Sequence, residues 1–219
     1  MHSNSEIKRF IDDLIKNISI ANSVEDLKLI HNSNSYYAEI TENMPGKKFP
    51  RLRFKITKDE LLTLKQTGMI SDEDKLSVEV ASGAITLSPL EKLLYSILWK
   101  NGDLGKEGHL INGIMDSAHS GQHGVVFHEF GRYISGKNNY ILDQHTLRCI
   151  AIFSSKGGEV EKARKLGAIN GKNEDHQKWI DLYKNFYADL KVDGGDSDFY
   201  YYVDEIGRAS CRERVSSPV

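Results

Sequence analysis

Hydrophobic positions recur at two different periods along this chain of 219 residues. Near the N-terminus Ile7, Phe10, Ile11, Leu14 and Ile18 follow Ser5 at helical spacing. Ser23-Val24-Glu25-Asp26 opens a second short helix with the hydroxyl-then-carboxylate order of a capping box. From Ser35 the period drops to two. Residues 36–41 read as a strand, and Met44-Pro45-Gly46 turns the chain. Residues 51–57, RLRFKIT, alternate strictly, with Leu52, Phe54 and Ile56 on one face and Arg51, Arg53 and Lys55 on the other. Thr57-Lys58-Asp59-Glu60 is a capping box leading into Leu61, Leu62 and Leu64. Leu76, Val78 and Val80 then alternate again, and 85–87 returns after Ser82-Gly83. Residues 1–87 therefore predict a small antiparallel sheet with helices on one face.

The second part opens sharply. Ser88-Pro89-Leu90-Glu91 places an N-cap serine, a proline at the first helical position and a glutamate at the third. Leu90, Leu93, Leu94, Ile97 and Leu98 follow, and Asn101-Gly102 stops the helix. Helical spacing continues over 106–115, 124–135, 143–153, 157–167 and 174–190. The expected class is α+β, with an α+β part over 1–87 and a mostly helical part over 88–204. The stretch from Glu205 to Val215, EIGRASCRERV, looks like a sequencing adapter read in frame. On that reading 205–219 is an artefactual tail that packs against nothing apolar and interrupts a helix begun by 199–203.

Composition narrows the setting. Hydrophobic residues make up 39% of the chain and the net charge is −2, as in an ordinary globular protein. No apolar run is long enough for a membrane span, and two cysteines make neither a disulfide framework nor a zinc set. A reducing, cytoplasmic setting is expected, with no membrane partner.

Three clusters carry candidate chemistry. Lys47, Lys48, Arg51, Arg53, Lys55 and Lys58 fall close together with no acid among them, which suits a phosphate backbone or the solvated face of a sheet. His109, His119, His123, His128 and His145 lie close in sequence. However, His128-Glu129-Phe130-Gly131-Arg132 has an arginine where a zinc-protease helix carries its second histidine. No metal site and no cofactor is expected. Asp143 stands directly before an apolar helical run, the place of an N-cap.

Gly121, Gly136-Lys137, Ile141-Leu142-Asp143 and Arg148 together resemble the helix-hairpin-helix DNA glycosylases of the adenine-mismatch and endonuclease III type. That family has a glycine hairpin, a helix, a G-K turn, then I-L-D with a basic residue five positions on. His123 stands where the family's hairpin has its second glycine. The resemblance implies a DNA-acting protein that hydrolyses a base–sugar bond, with Asp143 as the catalytic carboxylate. It implies that Gly121, Gln122, His123 and Gly124 hold a phosphate through backbone N–H groups. Lys137, Arg148, Arg51, Arg53 and Lys55 complete the expected nucleic-acid-binding set, and DNA is the expected partner. The family's nucleophilic lysine has no counterpart among Val125, Val126 and Phe127, so a lyase step is not implied. The rival expectation is a non-catalytic module that binds nucleic acid or protein.

Overall fold

The structure, a computed structural model, describes residues 3–32, 52–119, 121–190, 192 and 197–214. Eleven α-helices are assigned below, and the only β pairing among the described residues is one isolated bridge between Ile70 and Leu76. This overturns the expected α+β class with its antiparallel sheet. Residues 36–41 and Arg51 lie outside the described residues. The alternating 52–57 segment joins no strand, and Phe54 on its apolar face is 58% exposed. Ile56 instead donates its N–H to the carbonyl of Ile134 (3.1 Å). The alternation at Leu76, Val78 and Val80 is also compatible with one helical turn, because Leu76 and Val80 are four apart. A helix is what forms, over Val78–Ala81.

The chain divides into two compact units, 1–52 with 139–219, and 53–138. The change of pattern at 87/88 falls inside the second unit.

The first unit contains α1 (Asn4–Ile20), α2 (Val24–Asn32), α8 (Gln144–Ser154), α9 (Glu159–Arg164), α10 (Glu174–Asp189) and α11 (Ser197–Arg214). Helix α1 is capped by Ser3, whose hydroxyl accepts from the Glu6 N–H while Glu6 reaches back to the Ser3 N–H. It buries Ile7, Ile11, Leu14, Ile15 and Ile18, at about 1.5–3 kcal/mol each relative to exposure. Ser23 and Asp26 make the reciprocal bonds expected of a capping box. Helix α8 is the centre of the unit, with α1, α9, α10 and α11 all packed on it. Seven of its eleven residues are buried, Thr146 and Arg148 among them, so it is covered nearly all round. Helix α11 runs through the adapter-like stretch to Arg214, and Ile206 is 1% exposed. The expectation that nothing beyond 204 packs on apolar surface is therefore corrected. Phe199, Val203 and Ile206 fall at i, i+4 and i+7 on one helical face, and all three are buried.

The second unit contains α3 (Lys58–Gln66), α4 (Val78–Ala81), α5 (Pro89–Asn101), α6 (Glu107–Ile114) and α7 (Val125–Ile134). Helices α6 and α7 touch backbone to backbone. A Cβ on Gly113 would lie 2.0 Å from the His128 carbonyl oxygen, and one on Gly131 would lie 2.2 Å from that of Leu110. Helix α5 forms as its sequence dictates, with the Ser88–Glu91 capping box and Gly102 in the left-handed region at φ 70°. None of its thirteen residues is buried.

The α6–α7 contact has a direct consequence. Gly131→Ala should destabilise the second unit by at least about 2 kcal/mol, because backbone must move to admit the methyl group. Gly158→Ala, with helical φ −68° and open space around it, should stay within about 1 kcal/mol of wild type. Urea unfolding of the two variants measures the difference, and equal midpoints would show that the helices are not in contact.

Candidate functional site

Asp143 is the N-cap of α8, with extended backbone angles (φ −134°, ψ 173°). One carboxylate oxygen, Oδ1, accepts from the N–H groups of His145 (2.7 Å) and Thr146 (2.9 Å). The Asp143 N–H donates to Thr146 Oγ1 (3.1 Å), completing the box. The other oxygen, Oδ2, takes no backbone donor and faces Arg208 Nε at 3.3 Å. The side chain keeps 24% of its surface open. So one oxygen of Asp143 caps the helix, and the other pairs with Arg208.

Behind it lies a network that sequence reading did not single out. Asp204 on α11 is 1% exposed. It accepts from Tyr183 Oη (3.0 Å), from Tyr187 Oη and from the Ile141 N–H (2.9 Å). Tyr183 Oη also lies 3.1 Å from the Ile141 carbonyl oxygen. Burial pushes the Asp204 carboxyl up to about 7, against the opposing pull of Tyr187, Arg208, the Ile141 N–H and Tyr183. Burial and then the Asp204 charge push both tyrosine hydroxyls well above their ordinary range. Glu205 is raised by burial, with Asp143 adding to the effect and Arg208 opposing it. The one available signal was the spacing of Tyr183 and Tyr187, four apart on one helical face.

The other expected residues are scattered. Arg148 is buried at 7% exposure and gives its Nε and Nη2 to the Leu166 carbonyl. Gly121, Gln122, His123 and Gly124 form the approach to α7 in the second unit, with Gln122 and His123 exposed. Gly124 sits at φ 86°, where a Cβ would meet the His109 ring at 2.2 Å. His119 Nε2 closes the turn against the His123 carbonyl oxygen (3.0 Å). No side chain caps α7 at this end. At its other end Gly136 and Lys137 donate their N–H groups to the carbonyls of Tyr133 and Arg132, a Schellman termination. The Lys55 side chain lies beside Gly136, and Arg53, Lys55 and Lys137 are exposed. The basic residues and the glycine turn thus mark opposite ends of α7, about 15 Å apart.

The histidines of the second unit do approach one another. The His109 and His119 ring centroids are 6.0 Å apart, and those of His119 and His128 are 5.2 Å apart. Burial, then the neighbouring imidazoles, push His109 below its ordinary value. His128 is buried, with Nε2 2.8 Å from the Ser117 carbonyl oxygen. Arg132, in the second ligand position of the zinc-protease pattern, is ion-paired with Asp116. Among the described residues no three His, Cys, Asp or Glu side chains stand where they could hold a metal ion.

The raised Asp204 carboxyl ties stability to pH. In the unfolded chain it titrates near 3.8 and in the fold near 7, so the folded state binds the extra proton between those values. Its contribution is full below about 4 and is lost as pH rises through about 7. Asp204→Asn cannot ionise, so the stability difference between variant and wild type should move in the variant's favour over that interval. Thermal melting at pH 4 to 8 checks this, and a constant difference would place the carboxyl near its ordinary value.

Among the described residues no helix is long and apolar enough to cross a membrane. Compared with known protein families, curated proteins and solved structures, the chain matches none of them.

Proposed function

We propose that the chain acts on DNA as a glycosylase of the helix-hairpin-helix type, hydrolysing the bond between a base and its sugar. The observation that supports this reading is the placement of Asp143. It follows Ile141-Leu142 and sits at the mouth of the central helix of its unit, with one oxygen spent on the cap and Oδ2 left free of backbone donors. Cleavage of an N-glycosidic bond builds positive charge on the sugar. A fixed carboxylate stabilises that charge or draws the proton from the attacking water. The target base has to leave the stack to reach such a group. In the second unit, α6 and α7 form a close helix pair joined through the Gly121–Gly124 turn. The uncapped N–H groups at the start of α7 suit a phosphate oxygen.

Asp143→Asn tests the reading. Asparagine caps as well as aspartate and Arg208 keeps Glu205, so the melting temperature should fall only by the lost Asp143–Arg208 pairing. The negative charge is lost, so base release from duplexes carrying a panel of damaged or modified bases should fall at least about a hundredfold. Release that persists in the variant removes Asp143 from the chemistry.

A second reading, a non-catalytic binding module, is supported by α5. Leu90, Leu93, Leu94, Ile97 and Leu98 share one face of it and are 41–64% exposed. The face carries no charge, so it suits an aliphatic surface such as its own copy. Light scattering should then give a dimer at about 100 µM, and Leu94→Glu with Ile97→Glu should give a monomer. A wild-type monomer at that concentration would exclude self-association through α5.

A further inference from the structure

Asp204, Tyr183 and Tyr187 have no part in bond cleavage as described, yet they converge on the segment that carries Asp143. A tyrosine hydroxyl has one proton to give. Tyr183 Oη stands 3.0 Å from Asp204 Oδ1 and 3.1 Å from the Ile141 carbonyl oxygen, so it donates to one or the other. Tyr187 donates to the same Oδ1, and Oδ2 accepts from the Ile141 N–H at 2.9 Å. The Ile141 N–H is thus met by a side chain of α11, and its carbonyl lies within reach of Tyr183 on α10, both helices being far from it in sequence. Leu142, the next residue, is fully buried, and Asp143 then turns its carboxylate onto α8.

We infer that Asp204, steadied by Tyr183 and Tyr187, is a positioning residue that clamps Ile141 and so fixes where the Asp143 carboxylate points. The functional half of this inference rests on the glycosylase reading, whereas the clamp itself does not. A buried carboxylate that served only to fill space would be a poor choice, since an apolar residue of similar size costs less to bury. The Ile141 N–H and the Tyr187 hydroxyl both donate to this carboxyl, with the Tyr183 hydroxyl in reach, and such donors are what justify its burial. One of those donors is the main chain two residues before Asp143. All four residues of the clamp, 141, 183, 187 and 204, precede the adapter-like stretch. The charged groups around Asp204 are Asp143, Glu205 and Arg208, and the two tyrosines are its other titratable neighbours.

Residue-resolved hydrogen–deuterium exchange on the full chain tests the clamp, with wild type compared to Asp204→Asn and Tyr183→Phe. The Ile141 amide should exchange about tenfold faster or more in both variants, because the buried hydrogen bond to the Asp204 carboxyl is weakened or its support is lost. The amides of Ile150 and Ala151, deep in α8, should keep their protection. Equal acceleration at Ile141 and in α8 would show general destabilisation, and no change at Ile141 would show no clamp; either result overturns the inference. Base-release kinetics form the second arm. Asp204→Asn should lower kcat about tenfold with KM unchanged, because aim is lost while substrate contacts remain. Unchanged kcat alongside faster Ile141 exchange would detach the clamp from catalysis. Absence of base release by wild type would sink the glycosylase reading, while the exchange result still decides the clamp.

Discussion

The burial of α8 is the constraint on which the first unit depends. A helix covered on most of its circumference has few places to meet solvent, and here four other helices close around it. Even its arginine is kept inside, with the guanidinium met by the Leu166 carbonyl. A buried cation of this kind is tolerable only when hydrogen-bonded. The first N–H groups need an acceptor, and Asp143 supplies it while staying one-quarter open. The chain leading to that cap is held from the side by α10 and α11. One helix thus sets the position of the cap, and two others set the path into it.

Much of this was legible in the residues. The Thr57–Glu60 and Ser88–Glu91 pairs form the capping boxes that their spacing predicts, and the predicted helical runs after residue 105 recur in place with slightly different ends. Local chemistry decides these features, so a local pattern reveals them. The sheet failed for the opposite reason. Alternation over 52–57 describes a strand only if another strand is there to pair with, and none is among the described residues. The apolar face of α5 reads as core in sequence, yet Leu90, Leu93 and Leu94 are all more than half exposed. Periodicity shows which face is apolar and is silent about whether anything covers it. Beyond the i, i+4 spacing of Tyr183 and Tyr187, the Asp204 network could not be read from the residues, since its members come from α10, α11 and the loop before α8.

The same contrast bears on the weight that each residue can carry in a functional argument. Gly136 and Lys137 look like a motif, but a Schellman termination already accounts for the glycine and for both N–H groups. Gly124 is demanded by its left-handed backbone and by the His109 ring behind it. Asp143 is accounted for as far as Oδ1, which the cap uses completely, and a serine or asparagine would have served there. Oδ2 is accounted for by Arg208, and what the cap leaves unexplained is the cost of keeping a second carboxylate, Asp204, almost wholly buried beside the same loop. Burial of Asp204 is unfavourable enough to raise its carboxyl to about 7, and local helix chemistry offers no return for that cost. The residues with no local reason to be present are therefore the better guide to function, and in this chain they gather around the segment from Ile141 to Asp143.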